Sequence, residues 1–446
     1  MPKPFSIITA AADAPDVIGI RCGGQDYSFA KLALLTQNCM ARLENTGVLP
    51  QKGQPYIVEG KNSVETVIEL YALMELGVPA LMLHPKLTPT ERRVLLESIA
   101  NITDPLPENC VAVLFTSGTT GLPKPAIITV DMLLASANES AKNLGWQDDD
   151  CWQLCMSLTR IGGLSILTRC LLARKTVAIS PLFDAKSFVQ ALKDDHVTIT
   201  SIVPTMLAKI FEVFPQWTAP AHLRVILLGG SSATDKLLSK AHEQHLPIVT
   251  TYGMTETCSH VVMTPYAERF ELQSGSGKVL PNSRVRIHHQ QIEVASPMRT
   301  PGYWGRPPLT HEWFETGDLG DFDEEGRLHV YARRHDLILT AGENVYPLEV
   351  ENLLARSPFI KEALVVGEPN ETWGAIVCAL IVPENNTHPT LEDIRRFCKE
   401  NISAYKCPRK VAFVEALPVN NADKPDRRSA VLKQFSLHPL HYKSGN

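Results

Sequence analysis

The sequence predicts an α/β fold with a large N-terminal domain of helix-covered, mostly parallel sheets and a small β-barrel-like part. A small α+β domain follows it. Three observations predict this. Short β-branched runs alternate with longer helical patterns through the first half of the chain, the mark of a sheet covered by helices. After about residue 275 the pattern changes to short antiparallel strands, and beyond Arg333 to a compact mixture. The length of 446 residues exceeds one ordinary domain.

Residues 112–115, 177–180, 198–203, 225–228 and 247–251 read as buried strands. Residues 185–194, 205–214 and 232–245 read as the helices between them, with Thr205 and Ser232 as caps. Residues 285–287, 291–294 and 328–331 read as antiparallel strands, the last two separated by a turn-rich stretch. Further on, 348–356 and 391–401 read as helices and 363–366, 375–382 and 411–414 as strands, before a polar loop and a last helical segment. The domain boundary falls near His335, dividing 1–334 from 335–446.

Apolar residues make up 44% and charged residues 20%, enough for a large core. A net charge of -5 argues against a nucleic-acid groove or an anionic membrane surface as the main partner. Of ten cysteines only Cys151 and Cys155 are close, and no second pair completes a zinc site. Unclustered cysteines in a long chain read as buried small hydrophobes of a reduced, cytoplasmic protein. The N-terminus has no apolar run of signal-peptide type, and no window approaches the roughly 18 apolar residues of a membrane span.

Residues 113–128 carry the chemistry. A buried strand runs into Thr116-Ser117-Gly118-Thr119-Thr120-Gly121-Leu122-Pro123-Lys124. Gly118 and Gly121 let backbone N–H groups approach an anion, the hydroxyls add donors, and Lys124 adds charge, the parts of a phosphate cradle. The spacing is not that of a Walker A loop, and Lys124 stands between two prolines that do not open a helix. Downstream, Thr-Tyr-Gly-Met-Thr-Glu-Thr at 251–257 follows a strand. A glycine turn there places Thr255 and Glu256 at the carboxyl edge of the sheet, where open α/β folds bind ligands. Glu256 suits Mg²⁺, which takes carboxylate and phosphate oxygens; read alone, the run is a capped helix start.

The loop 116–124 resembles the signature of the adenylate-forming superfamily: acyl- and aryl-CoA ligases, luciferases and peptide-synthetase adenylation domains. The resemblance covers about residues 15–435 and implies ATP, Mg²⁺ and coenzyme A as cofactors, with a carboxylic acid as substrate. It implies that Thr116–Lys124 hold the β- and γ-phosphates, Gly230 and Ser231 border the adenine, and Tyr252 stacks on it beside Gly253. Thr255 then contacts the α-phosphate, Glu256 the metal and Asp318 both ribose hydroxyls, with Arg333 near ribose and phosphate. Lys424 matches the catalytic lysine, and the 340–351 run, with Gly342, matches the loop that enters for thioester formation when a mobile C-terminal domain rotates. Read alone, Glu343 and Glu349 are solvated, helix-capping residues. The chain departs from the pattern at His335 in the hinge, at Ala332 and Asp423 where glycine is usual, and at Arg160, which replaces a gating histidine.

Residues 161–177 form an apolar helix with one internal arginine, Arg169, which needs an anion or a route to water. This segment and 198–207 resemble the o-succinylbenzoate–CoA ligase branch of menaquinone biosynthesis, whose acid is a dicarboxylate. Arg169, Gly163 and Arg160 are the implied substrate residues, and the residues before 110 are expected to support the fold and carry little chemistry. Another acid–CoA ligase, a ligase loading a carrier-protein phosphopantetheine and a non-catalytic nucleotide-binding module remain alternatives, and nothing in the sequence marks a dimer surface.

Overall fold

The computed structural model describes residues 3–116, 123–180, 183–334, 336–340, 343–385, 387–420 and 424–440, apart from the side chain of Ala430. Its largest sheet has nine strands, in the order Lys278–Val279, Ser259–Met263, Ile248–Met254, Val225–Leu228, Ile199–Ile202, Cys151–Leu154, Thr176–Ile179, Ile18–Cys22 and Gln25–Ser28. The run from Ile248–Met254 to Ile18–Cys22 is parallel throughout, and its central strands are largely buried. Helix Ala185–Asp194 lies where expected, its Asp184 side chain accepting from the Ser187 amide.

The other two helix starts differ from expectation. Pro204 takes the first helical position of Pro204–Val213, where its missing N–H costs nothing, so Val203 is the N-cap and Thr205 lies inside the helix. Helix Asp235–Glu243 begins later than expected because Thr234, not Ser232, accepts from the Leu237 amide.

A second sheet holds Tyr56–Glu59, Ala80–Leu83, Cys110–Thr116 and Lys124–Thr129. The last two pair antiparallel and bring Thr116 opposite Lys124. The third sheet is antiparallel: Arg284–His288, Gln291–Ala295, Phe314–Phe322 and Leu328–Arg333. The nine-residue strand Phe314–Phe322 lies within the stretch expected to be turn-rich. Its glycines and acids hide the alternation, yet Gly320 is required there, since a Cβ would stand 2.3 Å from the His329 carbonyl.

The fourth sheet is built from Glu343–Val345, Ile338–Thr340, Gly374–Pro383, Lys410–Phe413 and His438–Pro439, with Ile360–Asn370 paired along Gly374–Pro383. Helices Pro347–Ala355 and Leu391–Asn401 belong with it, and the last helical segment is the 3₁₀ turn Ser429–Gln434. This part sits against helices Asp235–Glu243 and Pro204–Val213 through polar contacts: Lys236 Nζ donates to the Ile360 carbonyl at 3.0 Å, the Asp235 amide donates to Asn352, and Lys361 pairs with Glu212.

One buried ion pair braces the large sheet. Arg224 grips Asp150 through Nε at 2.8 Å and Nη2 at 2.6 Å, and its remaining donors reach the Leu144 and Gly145 carbonyls. Burial would raise the Asp150 carboxyl, but Arg224 holds it below the ordinary carboxylate range. Cys151 and Cys155 are buried in apolar surroundings that push both thiols up to about 12.

Candidate active site

The nucleotide side is built on paired strands. Asp318 on Phe314–Phe322 lies directly opposite Arg333 on Leu328–Arg333. Arg333 Nε stands 3.4 Å from Asp318 Oδ1, and the buried Tyr252 hydroxyl donates to Oδ2 at 2.9 Å. Burial and the neighbouring carboxylate keep the Tyr252 phenol protonated, as a donor. These three residues, expected near ribose and adenine, therefore form one connected group.

Gly253 lies within strand Ile248–Met254 at a register shift, not in the turn expected from sequence. A Cβ there would stand 1.9 Å from the Ser259 carbonyl, so only glycine lets Ser259–Met263 pair so closely. Thr255–Thr257 is a single 3₁₀ turn rather than the start of a helix, fastened by the Met254 amide to Thr257 Oγ1 at 3.0 Å. It leaves Thr255 and Glu256 at the sheet edge, half-buried.

Tyr303, which the sequence reading missed, joins the two halves of the phosphate region. Its hydroxyl donates to Glu256 Oε1 at 2.9 Å, its backbone bridges Ala126, and Lys124 Nζ lies 5.4 Å from its ring centre. The signal was an aromatic pair after a tight turn, Pro301-Gly302-Tyr303-Trp304. Thr116 and Lys124 flank the phosphate loop; Ser117, Gly118, Thr119, Thr120 and Gly121 lie outside the described residues.

Lys424 comes from the fourth-sheet part, yet its side chain lies beside Gly230, on the side expected to hold the nucleotide. A Cβ on Gly230, whose φ is +80°, would meet Lys424 Cε at 3.3 Å and Val203 Cγ1 at 3.3 Å. The lysine loop is tied by the Asn420 amide to the Lys424 carbonyl and by Arg427, which ion-pairs with Glu351 on helix Pro347–Ala355. Burial, then Arg333 and Arg160, lower the Lys424 ammonium to about 8, against a smaller opposing pull from Asp318. Asp423, His335 and Gly342 lie outside the described residues.

Ser231 lines a cavity of about 510 Å³ with Thr251, Val330 and, from the fourth-sheet part, Tyr346 and Glu349. Glu349 does not cap its helix, which begins at Tyr346 without a side-chain cap; it ion-pairs with Lys406.

Helix Ile161–Ala173 carries Arg169 and Gly163, expected on the acid side, with Arg160 at its N-cap. Arg169 is 3% exposed and donates through Nη2 to Ser136 Oγ at 2.9 Å, with its guanidinium 5.7 Å from the Trp152 ring centre. Its Nε is buried without a partner, and no ion pair to Arg169 occurs among the described residues. Burial lowers the guanidinium to about 10. Gly163 packs against backbone, since a Cβ would stand 2.3 Å from the Ser157 carbonyl. Arg160, at the helix N-terminus, donates to the Phe115 carbonyl at 3.2 Å.

The region before residue 110 reaches the loop before Arg160 through one side chain. Asn62 donates to the Met156 carbonyl at 3.0 Å and accepts from the Leu158 amide at 3.1 Å, fixing the loop that presents Arg160.

Comparison with known proteins agrees with this geometry. Residues 99–304 match the AMP-binding enzyme family and 349–424 the AMP-binding enzyme C-terminal domain. The chain is 34% identical to the 2-succinylbenzoate–CoA ligase of Bacillus mycoides over 95% of its own length and 97% of that protein's. It is similar to o-succinylbenzoate CoA synthetase (MenE) from Bacillus subtilis in complex with the acyl-adenylate intermediate OSB-AMP (TM-score 0.85, 30% identity, 96% of this chain and 97% of that one). The same synthetase with ATP and magnesium ion gives a TM-score of 0.85 at 29% identity, covering 96% of this chain and 98% of that one. With its motifs in order and its fold shared along almost the whole length, the chain belongs to the AMP-binding, adenylate-forming enzyme family.

Proposed function

We propose that this chain is an AMP-forming acid–CoA ligase whose acid is o-succinylbenzoate. The observation that carries the choice of acid is Arg169, a buried cation with no ion pair among the described residues. An unpaired buried charge is costly, and a substrate that brings a second carboxylate removes that cost. The names of the relatives support the same acid.

In the first step a carboxylate oxygen attacks the α-phosphorus of ATP and pyrophosphate leaves. Lys424 presents its ammonium beside Gly230, where it stabilises the charge gathering between carboxylate and phosphate. Asp318, oriented by Tyr252 and Arg333, accepts from the ribose hydroxyls. Thr116 to Lys124 hold the departing phosphates, with Thr255 at the α-phosphate. In the second step the thiol of coenzyme A attacks the acyl carbon, AMP leaves and the thiol proton passes to solvent. For this step the C-terminal domain, from His335 onward, rotates, withdrawing Lys424 and bringing in the loop around Gly342.

Glu256 fits Mg²⁺. One carboxylate oxygen is fastened by Tyr303, and no cluster of three or more His, Cys, Asp or Glu among the described residues would hold an ion alone. A single carboxylate suits an ion that takes its other ligands from phosphate and water. When bound, Mg²⁺ neutralises phosphate charge.

Ten free cysteines, nine of them buried, support a reducing, cytoplasmic setting. The assay is acid-dependent ATP–pyrophosphate exchange on a panel of mono- and dicarboxylic acids, wild type against Arg169→Leu. The proposal expects o-succinylbenzoate to lead and the variant to lose it selectively by about 10²-fold, the scale of a lost charge-assisted contact. A leading monocarboxylate with an indifferent variant would remove the acid assignment and leave Arg169 a structural residue.

A further inference from the structure

Lys424 is not the only cation beside the reaction centre. Arg160 stands at the N-terminus of helix Ile161–Ala173, where backbone amides already favour negative charge. Its Nη1 donates to the carbonyl of Phe115, the residue before Thr116 and the phosphate loop, while its Nε is buried without a partner. Asp318, the carboxylate that pulls on the Lys424 ammonium, is engaged by Tyr252 and Arg333.

Arg160 and Lys424 differ in what carries them. Lys424 rides on a loop tied through Arg427 and Glu351 to the fourth-sheet part. Arg160 is built into the N-terminal scaffold. Asn62 pins the loop before it, and Gly163 packs on Ser157 just behind it. Gly60 is packed so tightly that a Cβ would stand 2.4 Å from Thr159 Cγ2. A rotation that removes Lys424 leaves Arg160 in place.

We propose that Arg160 binds the adenylate phosphate in both half-reactions and retains the acyl-adenylate once Lys424 has withdrawn. This rests on the ligase reading above but not on the identity of the acid. Lys424 serves bond formation to phosphorus, whereas Arg160 holds the phosphate until the thiol displaces AMP. An arginine suits the task because its charge is permanent and its planar fork matches phosphate.

The test compares AMP with adenosine, which differ by the phosphate alone, on the full chain. In Arg160→Gln, AMP binding should weaken by roughly 10- to 100-fold, the scale of a lost charge-assisted contact, with adenosine within about twofold of wild type. Conversion of supplied acyl-AMP by coenzyme A should slow by a similar factor in Arg160→Gln and be spared in Lys424→Ala. Should Arg160→Gln not fold, Arg160→Lys takes its place: it keeps the charge without the planar fork, so its AMP preference should fall measurably below that of wild type. An unchanged AMP preference in Arg160→Gln, or its complete loss in Lys424→Ala, overturns the proposal. The comparison of AMP with adenosine involves no acid, so a wrong acid assignment leaves it intact and shows itself only in the exchange panel.

Discussion

Binding ATP to the free enzyme at alkaline pH should take up a proton at Lys424. Burial, with Arg333 and Arg160 nearby, lowers this ammonium from the ordinary 10.5 to about 8. With that value the free lysine is roughly one-tenth neutral at pH 7, half neutral at pH 8 and nine-tenths neutral at pH 9. The triphosphate supplies the missing negative charge and restores the ammonium, so uptake should rise from about 0.1 proton at pH 7 to about 0.9 at pH 9. The sign for stability is the reverse of a salt-bridged lysine. Below about pH 8 the fold holds a charge it disfavours, and that penalty is relieved as pH rises from about 8 towards 10.5. Calorimetry of ATP binding at pH 9, in two buffers of different ionisation enthalpy, measures the uptake. Lys424→Met should abolish it. Absence of uptake in the wild type, or its persistence in Lys424→Met, refutes the reasoning.

Other perturbations follow from single contacts. Tyr303→Phe deletes the hydroxyl that fastens Glu256, so the Mg²⁺ concentration for half-maximal activity should rise about tenfold, read from a magnesium titration. Gly253→Ala forces a Cβ to 1.9 Å from the Ser259 carbonyl, which should cost about 1–3 kcal/mol in thermal unfolding and lower activity by displacing the turn that holds Glu256. Asp150→Ala strands the buried Arg224 and should cost about 3–5 kcal/mol in denaturant unfolding. Asp150 touches nothing at the nucleotide side, so activity per folded molecule should be unchanged.

Much of the fold was legible because buried parallel strands are short apolar runs bounded by turns, as at Val225–Leu228. Strand Phe314–Phe322 was not, although it carries Asp318. Its Glu315, Asp318 and Asp321 face a polar site and solvent, and its glycines serve close strand pairing, so no apolar alternation marks it. The misplaced starts at Thr205 and Ser232 show that several residues in a row can compete to cap, and that the first turn's geometry decides. At the site, Lys424, Glu256 and Asp318 are proposed from motif order alone, and Asp318 stands in one connected group with Tyr252 and Arg333. Tyr303 and Asn62 were not legible, because each acts on a partner remote in sequence: Tyr303 on Glu256, Asn62 on the loop before Arg160.

The most direct test of the ligase reading is exchange of labelled pyrophosphate into ATP, driven by o-succinylbenzoate in the absence of coenzyme A. The account predicts exchange that requires the acid and Mg²⁺, with the o-succinylbenzoyl thioester and AMP appearing in equal amounts once coenzyme A is added. ATP binding without exchange for any acid would contradict it, and would make the chain a nucleotide-binding module.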